Sequence, residues 1–386
     1  MTFSRTPGLA AAGLAALVCA SGALAEDITI GVATAQTGGL APFDQPALLG
    51  FRMAIEEINA KGGLGGSYPA ELIVKDTRSD TAQTVTVGQE LIDAGAQVMI
   101  TPCDADPSIA IGQMTQPLSI PAFTFCGTAP ILPLAVGDAM FGSYPGDNLQ
   151  AAAVADLAIA EGKKTVYLLT SPDSTYTANL PEYFGIVFEA KGGSVVGRGS
   201  YTMGQPDFSA EVTKIKALPE PPDLIMTAAY EPDFPAFLQQ LRAAGVETPI
   251  YGADALNTPT IQGLGKLADG IVFTAAGYAA PGSKLEAFNR AFEDYAGHAP
   301  ESTYEVNGYE IAMIIDEAVR QAGSTDPEAI RAAIAGLSDF PSVTGSITYA
   351  GTTGMPVRAI ALMRYADGVA EYVDTITPDA ADVPAP

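Results

Sequence analysis

The stretch Gln97–Pro130, QVMITPCDADPSIAIGQMTQPLSIPAFTFCGTAP, limits what this chain can fold into more than any other. Two short apolar runs, Val98–Ile100 and Ile120–Phe125, are each followed at once by small, polar and glycine residues. Between them the spacing predicts a two-turn helix over Pro107–Met114, with Asp106 as its N-cap and Pro107 at its first position. Strand, turn, helix, strand is a βαβ unit whose strands are parallel and buried. In such sheets ligands sit at the carboxyl ends of the strands, against the N-termini of the helices that follow. Cys103-Asp104-Ala105-Asp106 closes one strand and Cys126-Gly127-Thr128-Ala129 the next, so the two ends form one shelf of a binding site.

The same alternation extends on both sides. Ile28–Ala33 reads as a strand, Thr34–Phe43 as a glycine-rich loop, and Pro46 onward as a helix with Phe51, Ile55 and Ile58 at helical spacing. Glu71–Lys75 and Thr81–Ala94 are the next strand and helix. After Phe141–Pro145 the pattern restarts: helix Gln150–Glu161, strand Thr165–Thr170, a loop carrying Tyr176, helix Tyr183–Lys191 and strand Val195–Tyr201. Helix Phe208–Ala217, strand Leu224–Thr227, helix Phe234–Ala244 and strand Ile250–Gly252, ending at Asp254, complete this second series. Lys284–Tyr295, Thr303–Ala322 and Pro327–Leu337 are helices with no strong strand among them, which predicts that they return to cover the first sheet. Gly345–Tyr349 and Ala359–Tyr365 read as a hairpin-like pair around the Gly351–Gly354 turn, and Thr377–Pro386 as a flexible acidic tail. The fold class is α/β, with two domains of one general build.

A chain of 386 residues can hold two such domains. Residues 1–25 belong to neither: Arg5, the apolar run Leu9–Ala20 and the A-x-A site Ala23-Leu24-Ala25 make a secretory signal peptide. Lipidation at Cys19 is disfavoured by the bulk of Val18 before it. Beyond Ala25 no apolar run approaches the ~20 residues that cross a bilayer. The reading is therefore of an exported, soluble chain. The net charge is −25, and the loss of Arg5 with the leader makes it more negative still. So acidic a surface excludes nucleic acid and anionic lipid as partners; it suits solubility, or attraction of a cationic ligand. Cys103 and Cys126 follow neighbouring strands in an oxidising compartment, which predicts a disulfide across the strand ends. With His298 the sole histidine, neither a zinc site nor a nucleophile–base pair can be assembled. Asp104-x-Asp106 is too little for a calcium loop.

Taken in order, IGVATAQTGGLAPFDQPALLGFRMAIEEINAKGGLGG, ELIVKDTRSDTAQT, CDADPSIA, PAFTFCGTAP, TSPDSTYTANL, AAYEPDFPAFLQQLRAAG and YGADAL resemble the periplasmic branched-chain amino-acid-binding proteins of ABC transporters. These are the type I bilobed solute-binding proteins. The resemblance implies two Rossmann-like lobes joined by three crossover segments, near Gly142–Gly146, Thr274–Tyr278 and Phe340–Gly345. Lobe I would take residues 26–144 and 277–341, and lobe II residues 145–276 and 342–376, ahead of the tail at 377–386. It further implies a ligand trapped between closing lobes and delivered to permease subunits by a monomer that needs no cofactor or metal. Position by position, it implies that Phe43 walls the ligand and that Cys126 offers a backbone carbonyl. Thr128 would offer its N–H and hydroxyl to a carboxylate, Tyr176 and Tyr230 rings and hydroxyls, and Asp254 an acid for an ammonium group. Asp104 departs from the family, which often has serine there to bind a carboxylate; an ionised Asp104 repels one. Amides, ureas, amines, betaines and neutral aromatic-derived compounds thus join branched-chain amino acids as ligand classes. A ligand-sensing receptor and an exported α/β hydrolase are the competing functions. The hydrolase lacks a candidate nucleophile with a base beside it. Mass spectrometry of the chain recovered from the periplasm is expected to find Glu26 as the first residue; a chain retaining Arg5 would refute the leader.

Overall fold

The computed structural model describes residues 1–2 and 27–386, so the leader, Cys19 and the cleavage site at Ala25 lie outside the described residues. The first series runs β1 (Ile28–Thr34), α1 (Ala41–Ala60), β2 (Ala70–Asp76), α2 (Thr81–Asp93), β3 (Val98–Thr101), α3 (Ala105–Thr115), β4 (Ala122–Thr124), α4 (Leu132–Val136) and β5 (Met140–Phe141). The second runs α5 (Asp147–Ala160), β6 (Thr165–Thr170), α6 (Thr175–Ala190), β7 (Ser194–Ser200), α7 (Ser209–Lys216), β8 (Leu224–Thr227), α8 (Asp233–Ala243), β9 (Ile250–Tyr251), α9 (Pro259–Gln262) and β10 (Val272–Ala275). Helices α10 (Lys284–Ala296), α11 (Tyr304–Ala322) and α12 (Pro327–Ala335) precede four late strands: β11 (Phe340–Pro341), β12 (Ser346–Ile347), β13 (Ile360–Ala366) and β14 (Val369–Ile376).

Strands β1 to β5 form one parallel sheet in the order β2-β1-β3-β4-β5. The second sheet runs β14-β13-β10-β9-β8-β6-β7, parallel from β10 to β7, with β13 and β14 added antiparallel at one edge. Strands β3, β4 and β8 are buried throughout, as parallel strands covered on both faces must be. In each sheet the chain reverses direction of travel beside its first strand, between β1 and β3 and again between β6 and β8. Crevices for ligands open at such switch points, outside the carboxyl ends of the strands.

Helix α11 returns to the first sheet as expected, and two glycines explain how closely it lies on α1. A Cβ on Gly50 would stand 1.8 Å from the Glu305 carbonyl oxygen, and one on Gly308 would stand 1.9 Å from that of Ala47. Backbones that near leave no room for any side chain at the crossing.

Several boundaries differ from the sequence reading. Helix α3 starts at Ala105, so Asp106 lies in its first turn and is not its cap; Asp104 holds the cap position without making a side-chain cap bond. Helix α6 starts at Thr175, capped by Ser174, which places Tyr176 on a helix and leaves Pro181 buried inside it. Strand β12 pairs with β11, and the expected hairpin is reduced to one bridge between Thr348 and Val357. The partner of β13 is instead β14, a solvent-facing edge strand with too few buried residues to stand out in sequence. In the segment read as a flexible tail, Asp382 pairs with Lys191 at 2.6 Å and the Pro384 carbonyl accepts from Asn148 at 2.8 Å.

The segments that connect the two sheets meet around one buried ion pair. Arg358 and Glu310 lie 3.0 Å apart, 2% and 0% exposed. Arg358 also donates to the Ser143 carbonyl, and Glu310 accepts from the Ser342 hydroxyl and from the Thr344 N–H at 2.7 Å. Tyr349 donates to the Gly142 carbonyl at 2.7 Å, and Thr344 packs against Gly277. Removing one member of such a pair strands a buried charge. Arg358→Ala is expected to cost about 3–5 kcal/mol in urea unfolding, and Arg358→Met with Glu310→Leu distinctly less. Equal losses would mean that the pair contributes packing alone.

Candidate ligand-binding cleft

The carboxyl ends of the two sheets face one shared cavity. Phe43, Cys103, Asp104, Cys126 and Thr128 reach it from the first sheet's loops and helix starts, and Tyr176, Tyr230 and Asp254 from the second's. All seven residues that the sequence points to as ligand contacts therefore line one space. The expected disulfide between Cys103 and Cys126 is present and joins the ends of β3 and β4 at the cavity wall.

The aromatic side chains form a box. Phe43 meets Tyr230 and Tyr304 edge to face, with ring centroids 5.7 and 5.6 Å apart, and Tyr176 stands 6.2 Å from Tyr230. The Tyr176 hydroxyl donates to the Asp254 carboxylate at 3.2 Å and accepts from the Ala255 N–H at 3.3 Å, so it positions Asp254. Tyr304 donates to the Asp254 carbonyl at 2.7 Å. Asp106, read as a cap, instead accepts from the Thr175 hydroxyl at 2.8 Å, joining the start of α3 to the start of α6 across the cleft.

Three carboxyl groups, Asp44, Asp147 and Asp254, are buried here, and a fourth, Asp104, is half-buried. Asp254 is 3% exposed, and burial pushes its pKa up to about 6 against the pull of its hydrogen bonds. Asp104 is also raised to about 6, by burial and then by the Asp106 charge; its Oδ1 is buried without a partner. Asp44, in the first turn of α1, accepts from the N–H groups of Ala35 and Cys103 and so ties the end of β1 to that of β3. Burial still carries it up to about 7. Asp147 opens α5 fully buried, beside the Thr128 hydroxyl, with neither carboxylate oxygen satisfied; burial holds its pKa well above the ordinary value.

Sequence reasoning misses Asp44, Asp147 and Tyr304. Asp44 falls between the loop read over Thr34–Phe43 and the helix read from Pro46, and Asp147 falls ahead of the helix read over Gln150–Glu161. The cluster FDQP, an acid just inside a helix that follows a glycine-rich strand end, is the one signal that points to Asp44.

Raised carboxyl pKa values set the sign of the pH dependence. Between the unfolded value near 4 and the folded values near 6 to 7, the native state holds more protons, so stability falls as pH rises through that window. The acids held below their ordinary range, Asp76 and Asp223 among them, matter only at lower pH. The ligand-free protein is expected to melt several degrees higher at pH 5 than at pH 8, and Asp147→Asn to raise the pH 8 value and flatten the profile. A melting temperature that rises with pH between 5 and 8 would contradict this.

A family model for periplasmic binding proteins matches residues 27–370. A Leu/Ile/Val-binding protein of Rhizobium johnstonii is 26% identical over 346 residues, 89% of this chain and 92% of that one. Among solved structures, a leucine-binding protein of Thermotoga maritima superposes with a TM-score of 0.84 at 24% identity, over 91% of this chain and 99% of the other. A solute-binding protein of an ABC transporter of R. palustris, in complex with 4-hydroxybenzoate, gives 0.81 at 22% identity, over 92% and 99%. With two mostly parallel sheets, a shared cleft and a family match over nearly all the described residues, the chain belongs to the periplasmic binding proteins.

Proposed function

We propose that this protein is the solute-binding component of an ABC importer, working in the periplasm as a monomer after cleavage of residues 1–25 at Ala25. It closes over a small polar solute in the cleft and presents it to the permease subunits. The observation that carries this reading is the convergence of Phe43, Asp104, Cys126, Thr128, Tyr176, Tyr230 and Asp254, from both sheets, on one cavity. The moving bodies are residues 26–144 with 277–341, and 145–276 with 342–376. Ligand bound between them stabilises the closed arrangement by the difference in its affinity for the two states. Asp254 is the polar anchor, held ready by Tyr176. Binding occurs without turnover: both cleft cysteines are in the disulfide, and His298 is exposed and lies outside the cavity lining.

A thermal-shift screen of protein recovered from the periplasm tests the reading. The panel holds leucine, isoleucine and valine, amides and urea, amines and betaines, and aromatic acids. A solute at a thousand times its Kd is expected to add about 4 kcal/mol of stability, a shift of several degrees. Asp254→Ala should abolish that shift while the far-ultraviolet circular dichroism of the empty protein stays unchanged. If no solute in the panel shifts the wild type, the solute-binding reading fails.

A further inference from the structure

We propose that the solute taken by this cleft is a small organic cation without a carboxylate, an alkylammonium or diammonium ion, and not an amino-acid zwitterion. The proposal rests on the solute-binding reading and names its substrate class.

Among the described residues that line the cavity, Asp104 from one sheet and Asp254 from the other are the charged side chains, and there is no lysine, arginine or histidine. Asp104 Oδ1 is buried there with no partner, and Asp147, within electrostatic reach of both acids, has both oxygens unsatisfied. The buried cation at the sheet connections, Arg358, is already matched by Glu310. A ligand carboxylate would thus enter a space that holds acids and has no basic side chain among its described lining residues. An ammonium group supplies what the space lacks: a donor for Asp104 Oδ1 and a positive charge between Asp104 and Asp254. Phe43, Tyr230 and Tyr304 complete the environment, since aromatic rings attract a desolvated cation.

The approach to the cavity has the same character. An adjoining groove shares Asp104 and Tyr230 with it and is lined further by Asp80, Asp106, Asp173, Glu231 and Asp233, again with no basic side chain. A mouth of one sign focuses field lines and concentrates counter-ions. The sign is particular to this groove, because the one beside Tyr251 mixes Lys163, Arg242, Lys266 and Arg364 with Glu161, Glu247 and Asp269. Acids concentrate where a solute enters.

The test is calorimetric titration at pH 8 with isoamylamine, putrescine and tetramethylammonium, set against leucine, benzoate and acetamide. Isoamylamine is leucine with its carboxylate removed, so the pair isolates the group in question. At least one cation is expected to bind while leucine does not. Asp104→Asn, nearly isosteric, should weaken that cation by about 10- to 100-fold, and Asp104→Ser should admit leucine. If leucine, benzoate or acetamide binds the wild type and no cation does, the inference is overturned and the solute-binding reading stands. If nothing on the panel binds, both fall. The wild-type comparison decides even if a variant fails to fold.

Discussion

The Arg358–Glu310 pair is the constraint on which the arrangement of the two sheets depends. Two ions removed this far from water persist only when every donor and acceptor around them is used. Here those partners come from the segments that pass between the sheets: Ser143 from the first, Ser342 and Thr344 from the last, with Gly277 packed against Thr344. The pair fixes where the strands cross and leaves the carboxyl ends of the two sheets facing each other. Under the proposed closure, the halves would bend in short segments around this polar knot, which is hinge motion and not sliding.

From that knot the site follows by topology. The switch points beside β1 and β6 put Asp44, Cys103 and Asp104 on one side and Tyr176 and Tyr230 on the other. Helix α11 adds the remaining wall because its close crossing with α1 at Gly50 and Gly308 sets its starting turn, and Tyr304 with it, against the cavity. The crossing thus serves two ends: it covers the first sheet and places an aromatic ring at the site.

Much of this was legible in the sequence because parallel strands announce themselves as short, continuous apolar runs and their ends as small and polar clusters. That is why the shelf at Cys103–Asp106 and Cys126–Ala129, and the disulfide across it, could be read locally. What could not be read depends on contacts far apart in the chain. Asp106 looks like a cap until Thr175 is brought opposite it. Tyr304 looks like ordinary helix until α11 lies on α1. Asp147 looks like a solvated acid until α5 is packed into the core. Strand β14 is legible only as the neighbour of β13, since its own residues mostly face solvent.

The cleft also sets stability against function. Buried carboxyl groups with unsatisfied oxygens are a cost to the folded state, and the empty protein can lower that cost only by taking up protons. Apolar residues of similar size would pack the same volume without it. Asp44 has a structural reason to be where it is, since it binds two strand ends together through backbone N–H groups. Asp104 Oδ1 and both Asp147 carboxylate oxygens are buried without a hydrogen-bond partner among the described residues. On the cation proposal, a donor arriving between the sheets relieves their destabilisation, so free energy withheld from the empty fold goes into binding the solute. The acid cluster that weakens the empty fold is thereby the feature on which the proposed selectivity for a cation rests.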